Sequence, residues 1–156
     1  MMRRVRVMLL ALAALITLPW AFSAWMVQTA RMEHRTTLAG LRSLTLPTNE
    51  AEIASAIATY ERARRLSFCH SSLLRDLNLL YAAQAERALA DDDLDAEDTA
   101  LTKLQATLTR LTRCKPGDGK AWLDQAILYA YREGAGPEAF AAYRMSGSVT
   151  PAESWL

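Results

Sequence analysis

The sequence predicts an all-α fold, and three observations carry the prediction. Alanine and leucine dominate, while β-branched residues are few. Apolar residues recur at spacings of three and four, and no alternating strand pattern appears. Glycine, proline and cap-forming aspartate or asparagine separate these stripes into helix-length pieces. The chain has 156 residues and a formal net charge of +1, which suits one modest domain. That balance argues against a nucleic-acid partner, which requires a basic face.

Residues 1–30 read as a membrane anchor. Arg3, Arg4 and Arg6 form a basic flank, and residues 7–30 then carry no charged side chain until Arg31. About 20 apolar residues suffice to cross a bilayer as a helix. Trp20 and Trp25 suit the far interface, where amphipathic rings collect. The arginines ahead of the run predict a cytoplasmic N-terminus, a single pass through the inner (cytoplasmic) membrane, and a periplasmic helical domain. A cleaved signal peptide is the other reading, because Pro19 and Ala21-Phe22-Ser23 resemble a small-residue cleavage site. The run continues through Trp25-Met26-Val27, longer than a usual signal core, which favours the retained anchor.

Residues 31–48 read as a juxtamembrane helix and linker. Leu38, Leu41 and Leu44 give that helix a thin apolar edge, and Pro47 disfavours helix at Leu46. The helical domain is then expected over residues 49–156. Asn49 with Glu52 forms a capping-box-like start for a helix reaching about Leu66, with Ile53, Ala56, Ile57, Tyr60 and Ala63 on one face. Ser71 or Ser72 can cap the next helix, which reaches about Ala90 and carries Leu73, Leu74, Leu77, Leu80, Tyr81 and Ala85. Residues 90–98 form an acidic link. Asp95 can cap a helix from Ala96 to Arg113 with Leu101, Leu104, Leu108 and Leu111 as its stripe.

Pro116 and Gly117 break that helix, and Asp118 can cap another with Trp122, Ala126, Ile127, Tyr129 and Ala130 at apolar positions. Gly134, Gly136 and Pro137 form a turn. A last helix carries Ala139, Phe140 and Tyr143 and is closed by Gly147 and Pro151. Neither of these last two helices is long enough to be stable alone in water.

The spacing of Trp122, Ala126, Tyr129, Ala139, Tyr143 and Pro151 resembles the tetratricopeptide repeat (TPR), with Gln125 where leucine is usual. Ala56, Tyr60 and Ala63 match its second-helix pattern, and Leu74, Leu77 and Tyr81 its first. The echo of Leu80-Tyr81-Ala82 in Leu128-Tyr129-Ala130 is evidence for a repeat apart from any consensus. The resemblance implies antiparallel helix hairpins that hold another protein. By the same resemblance, partner contacts fall on the first helices, at Arg75, Asn78, Asp124 and Gln125, with the pattern residues named above forming the repeat core. Repeat arrays need a terminal cap. The stretch ending in Trp155 and Leu156 is expected to fold back over the apolar end or to leave it to a partner.

Cys69 and Cys114 fall in corresponding places of two repeats, in an oxidising compartment if the anchor reading holds. They are either two separate half-buried thiols or a disulfide closing a loop of about 45 residues. Gly117-Asp118-Gly119-Lys120 lacks full phosphate-loop spacing and follows a helix, so it reads as a helix start. Asp91, Asp93 and Asp95 alternate as in a calcium loop, but Ala96 and Thr102 stand where glycine and glutamate belong. His34 and His70 have no metal-ligand spacing. No cofactor is implied. No enzyme is expected, since no nucleophile, base and oxyanion donor assemble from motifs.

The expected function is a membrane-anchored interaction scaffold of the bacterial cell envelope. It would assist assembly of an inner-membrane machine, such as one for polysaccharide synthesis or export. The second reading is an accessory single-span subunit whose small residues Ala11, Ala13 and Ala14 let other helices approach. Other proteins, and the membrane through residues 7–30, are the expected partners.

Overall fold

The computed structural model describes residues 2–43, 49–67 and 69–150, with backbone alone at 2–7, 9–13 and 16. Among them there are helices and no strand. In chain order these are α1 (Met2–Glu33), α2 (Arg35–Ser43), α3 (Glu50–Arg65), α4 (Ser71–Ala90), α5 (Leu94–Cys114), α6 (Gly119–Glu133) and α7 (Pro137–Val149). The architecture is therefore all-α.

Among the described residues no helix is long and apolar enough to cross a membrane. Of the span expected over 7–30, the side chains of residues 7, 9–13 and 16 lie outside that description. The backbone of α1 runs unbroken through Pro19, which forfeits one intrahelical hydrogen bond there.

Leucines on α4 dictate the centre. Leu73, Leu74, Leu77 and Leu80 are all 0–1% exposed, and each buried leucine stabilises by about 1.5–3 kcal/mol. Four leucines within eight positions cover more than one stripe, so α4 must be enclosed on several sides. It packs on α2, α3 and α5, while α5 packs on α6, and α6 on α7. Ile53, Ala56, Tyr60 and Ala63 of α3 close one side of this core.

The segment expected to be a juxtamembrane linker joins the core instead. α1 packs on α3 through Val27 and Ala30, and Leu38 of α2 is buried beside them. Only a single-residue turn at His34 separates the two helices. Hydrogen bonds from His34 N to Ala30 O and from Leu38 N to His34 O carry the ladder across it.

Several boundaries differ from expectation. His70 is the N-cap of α4, with no side-chain bond, so neither Ser71 nor Ser72 caps it. Asp93 rather than Asp95 caps α5, accepting from Ala96 N, and the acidic link shrinks to a turn over Asp91, Asp92 and Asp93. Asp92 sits there at φ 58°, a left-handed conformation that aspartate tolerates. Asn49 and Asp118 do cap α3 and α6, accepting from Ala51 N and Ala121 N. Gly147 does not end α7, which continues to Val149. Gly119 has a packing reason. A Cβ there would run into the Thr150 side chain at the end of α7. Leu44, Leu46, Pro47, Pro151, Trp155 and Leu156 lie outside the described residues, and so do the linker and terminal-cap expectations that rest on them.

Candidate functional site

α4 and α6 both pack on α5 but barely on each other. Between them lies a groove of about 640 Å³. Its floor is the α5 stripe, with Leu101 and Leu104 partly exposed and Leu108 and Leu111 fully buried beneath. Spacings of three and four put these leucines on one face, as helical periodicity requires. Leu79, Ala82, Ala85 and Leu89 line it from α4, and Ala121, Ile127, Leu128 and Tyr131 from α6. Small residues on both walls let another backbone come close.

Polar groups hold both ends. At one end Arg75 of α4 donates to Asp118, the residue that caps α6. At this end too, Cys69 and Cys114 form a disulfide with Cα atoms 5.7 Å apart, which ties the start of α4 to the end of α5. Lys120 pairs with Asp124 at 2.8 Å on the α6 rim. At the opposite end the Tyr131 hydroxyl donates to Glu97 at 2.6 Å. Arg132 donates to Gln105 and Asp98 at 2.6 and 2.8 Å. The Glu97 carboxylate, together with partial burial, raises the Tyr131 hydroxyl above its ordinary range.

At the α4 wall of the groove, which Asp76 and Arg42 help to line, sits a charged node. Asp76 is 1% exposed. It accepts from Arg31 Nε at 2.8 Å and from Arg42 Nη2 at 2.6 Å, and the Tyr60 hydroxyl reaches it at 3.5 Å. One carboxylate thereby joins α1, α2, α3 and α4. Burial, then the charge of Asp76, push the Tyr60 hydroxyl well above its ordinary value near 10. The Tyr81 hydroxyl is shifted the same way by burial and by its 2.9 Å bond to Glu61.

Of the residues expected to meet a partner, Arg75, Asn78 and Asp124 line the groove. Gln125 does not. It is buried at 6% exposure, donating to the Tyr129 hydroxyl at 3.2 Å and accepting from Thr112 at 3.4 Å. Ala56, Tyr60, Ala63, Leu74, Leu77, Tyr81, Ala126 and Ala139 are buried. Trp122 and Tyr129 are half-buried, and the Trp122 indole N–H donates to Pro116 O at 2.8 Å. Tyr143 is 56% exposed and Phe140 58%, contrary to a core role. The reason is positional. Among the described residues α7 packs chiefly on α6, and Ala139 and Ala142 are the residues it buries.

The α5 leucines were legible as a stripe, but their role as a groove floor was not, because periodicity does not say what covers a face. The Asp76 node had no sequence signal, since its partners lie 45 and 34 positions away. Among the described residues no cluster of His, Cys, Asp or Glu could hold a metal ion. His34 is buried, its Nε2 without a hydrogen bond among the described residues and 3.9 Å from Glu33 Oε1, and His70 lies at the start of α4. No known protein family, curated protein or solved structure matches the chain.

Proposed function

We propose that this chain is a TPR-like, membrane-anchored interaction scaffold that seats a segment of another protein in the α4–α5–α6 groove. The observation that carries the proposal is the leucine-floored groove itself, walled by small residues and rimmed by charge. Concave, mainly apolar sites with a few placed polar groups are where proteins bind ligands. The hairpins α4–α5 and α6–α7 would be the two repeats.

The anchor is residues 7–30, with the N-terminus in the cytoplasm and the groove in the periplasm. The uncharged run behind Arg3, Arg4 and Arg6 supports this. So does the exposure of Leu15, Leu18, Trp20, Phe22 and Trp25 along α1. A disulfide between Cys69 and Cys114 suits an oxidising compartment. The partner belongs to an inner-membrane assembly of the cell envelope.

The test is purification of the full chain from its native membranes in mild detergent, beside a Leu104→Glu variant checked for helicity by circular dichroism. The scaffold reading expects stoichiometric membrane partners with the parent chain and their loss with the variant. Partners that survive Leu104→Glu but vanish when residues 7–30 are replaced by an unrelated span would point to a subunit held by its span. A chain that purifies alone refutes both.

A further inference from the structure

The C-terminal ends of α3 and α5 meet at one corner of the domain. The disulfide between Cys69 and Cys114 joins them, and Arg110 Nη2 donates to Ser67 O at 3.2 Å across the same junction. Residues 62–70 and 110–117 carry Arg62, Arg64, Arg65, Arg110, Arg113 and Lys115 and no aspartate or glutamate. Arg64 is paired with Glu61 at 2.7 Å, and the next carboxylate, Asp118, is buried and held by Arg75. Arg62, Arg65, Arg113 and Lys115 are exposed, and among the described residues no side-chain hydrogen bond or ion pair engages them. Leu66 stands among them at 47% exposure. Helix dipoles favour a cation at each C-terminus taken singly. They do not bring two such ends together, nor leave the corner without a counter-charge in a chain whose total is only +1.

The path of α1 sets where this corner points. The His34 ring lies 6.4 Å from the Tyr60 ring. Ser43 ends α2 and Glu50 begins α3, and the chain between them spans at most about 25 Å. A parallel arrangement would set those two residues about 28 Å apart along the axis, so α1 and α2 run antiparallel to α3. The turns of α1 before His34 therefore pass the turns of α3 after Tyr60. Val27 comes level with Ser67, and Arg31 Nη2 reaches Ser72 O at 3.4 Å just beyond it. Ser23 and Val27 are buried, whereas every described side chain upstream of Ser23 is exposed. α1 thus leaves the domain at the basic corner, at the level of Trp25, where the anchor reading puts the lipid interface. The opposite charge lies at the far end. Asp92, Asp93 and Asp95 are exposed there, about 30 Å away along the 20 residues of α4.

We propose that this corner rests on the membrane surface and binds the headgroups of anionic phospholipid. Arg62, Arg65, Arg113 and Lys115 supply the contacts to phosphate, and Leu66 dips among the headgroups. Basic side chains beside an anionic bilayer are drawn to it within a Debye length of about 10 Å. A single helix leaves a domain free to tilt about its anchor. The basic corner fixes the tilt and turns the acidic end away from the lipid. This rests on the membrane-anchor part of the scaffold reading.

The test is photo-crosslinking of the full chain reconstituted into phosphatidylcholine vesicles with and without phosphatidylglycerol, after a wash in alkaline carbonate. A benzophenone side chain replaces Leu66 in one variant. In another it replaces Leu94, which is 64% exposed at the far end, where α5 begins. The chain is expected to stay with the vesicles. The probe at 66 should attach to lipid about tenfold more with phosphatidylglycerol than without, and the probe at 94 to none. Raising the salt should remove that gain. So should Arg62→Gln with Arg65→Gln and Lys115→Gln, with helicity unchanged by circular dichroism. A chain that stays in the vesicles without any phosphatidylglycerol dependence at 66, or with lipid attached equally at 94, overturns this inference and leaves the anchor standing. A chain released by the wash overturns the anchor and the inference together. Attachment at 66 to protein and not to lipid in native membranes overturns it in favour of an acidic protein partner.

Discussion

Asp76 is a buried anion held by two arginines that stay partly in water. Its side chain is 2% exposed while Arg31 and Arg42 keep 37% and 59% exposure, so the anion is desolvated and the cations are not. Removing the anion leaves two partly hydrated guanidinium groups without their shared carboxylate. Asp76→Asn is expected to cost about 2–3 kcal/mol, below the range for a fully buried pair because the arginines keep part of their hydration. Urea unfolding measures it. Asp124→Asn, on the exposed rim, should stay within about 0.5 kcal/mol. The two buried tyrosines give a pH dependence. Both hydroxyls are raised in the fold from an ordinary value near 10. Above that pH the unfolded chain releases these protons while the folded chain keeps them. Their contribution is therefore complete below about pH 10 and is lost as pH rises further. Stability curves from pH 8 to 11 should fall on the alkaline side, and Tyr60→Phe with Tyr81→Phe should flatten the fall.

Among the described residues, the turn between α4 and α5 holds the one non-glycine position in the left-handed region. Asp92 adopts φ 58° there, and its N–H bonds to Leu89 O at 3.2 Å. Left-handed backbone costs an ordinary residue about 1 kcal/mol and costs glycine little. Asp92→Gly is therefore expected to leave stability level or raise it by up to about 1 kcal/mol, since glycine also loosens the unfolded chain. Thermal unfolding reads the sign. The same turn shows what the sequence could and could not say. Its location was legible because aspartates interrupt two leucine stripes. Its start was not, because Asp93 and Asp95 are chemically equal caps and only the path of the turn chooses between them. Asn49 was a legible cap because Glu52 three residues on completes a capping-box pattern, and Asp118 because it follows the Pro116-Gly117 break. Gln125 was misassigned for a physical reason: its amide can be satisfied inside by Thr112 and Tyr129 as well as outside by water.

For the whole molecule, helix content and order were legible from local patterns, whereas the union of α1 and α2 with the core was not. Arg31, His34 and Arg42 look like a solvated juxtamembrane segment until Asp76 and Tyr60 are brought beside them. The disulfide is the covalent counterpart of that union. It spans 45 positions, and closing a loop of that size stabilises by about 4 kcal/mol. Cys69→Ser with Cys114→Ser should lower stability by roughly that amount in denaturant titration, with helicity retained at low denaturant.

That covalent link also sets a path for mechanical load. A force applied between the two ends of the chain would pass from α3 across Cys69 and Cys114 directly into α6. The 45 positions between them, about 150 Å of extended chain at 3.3–3.6 Å per residue, stay slack. α4 and α5, one wall and the floor of the groove, therefore sit in a covalently closed ring outside the line of a force applied at the two chain ends.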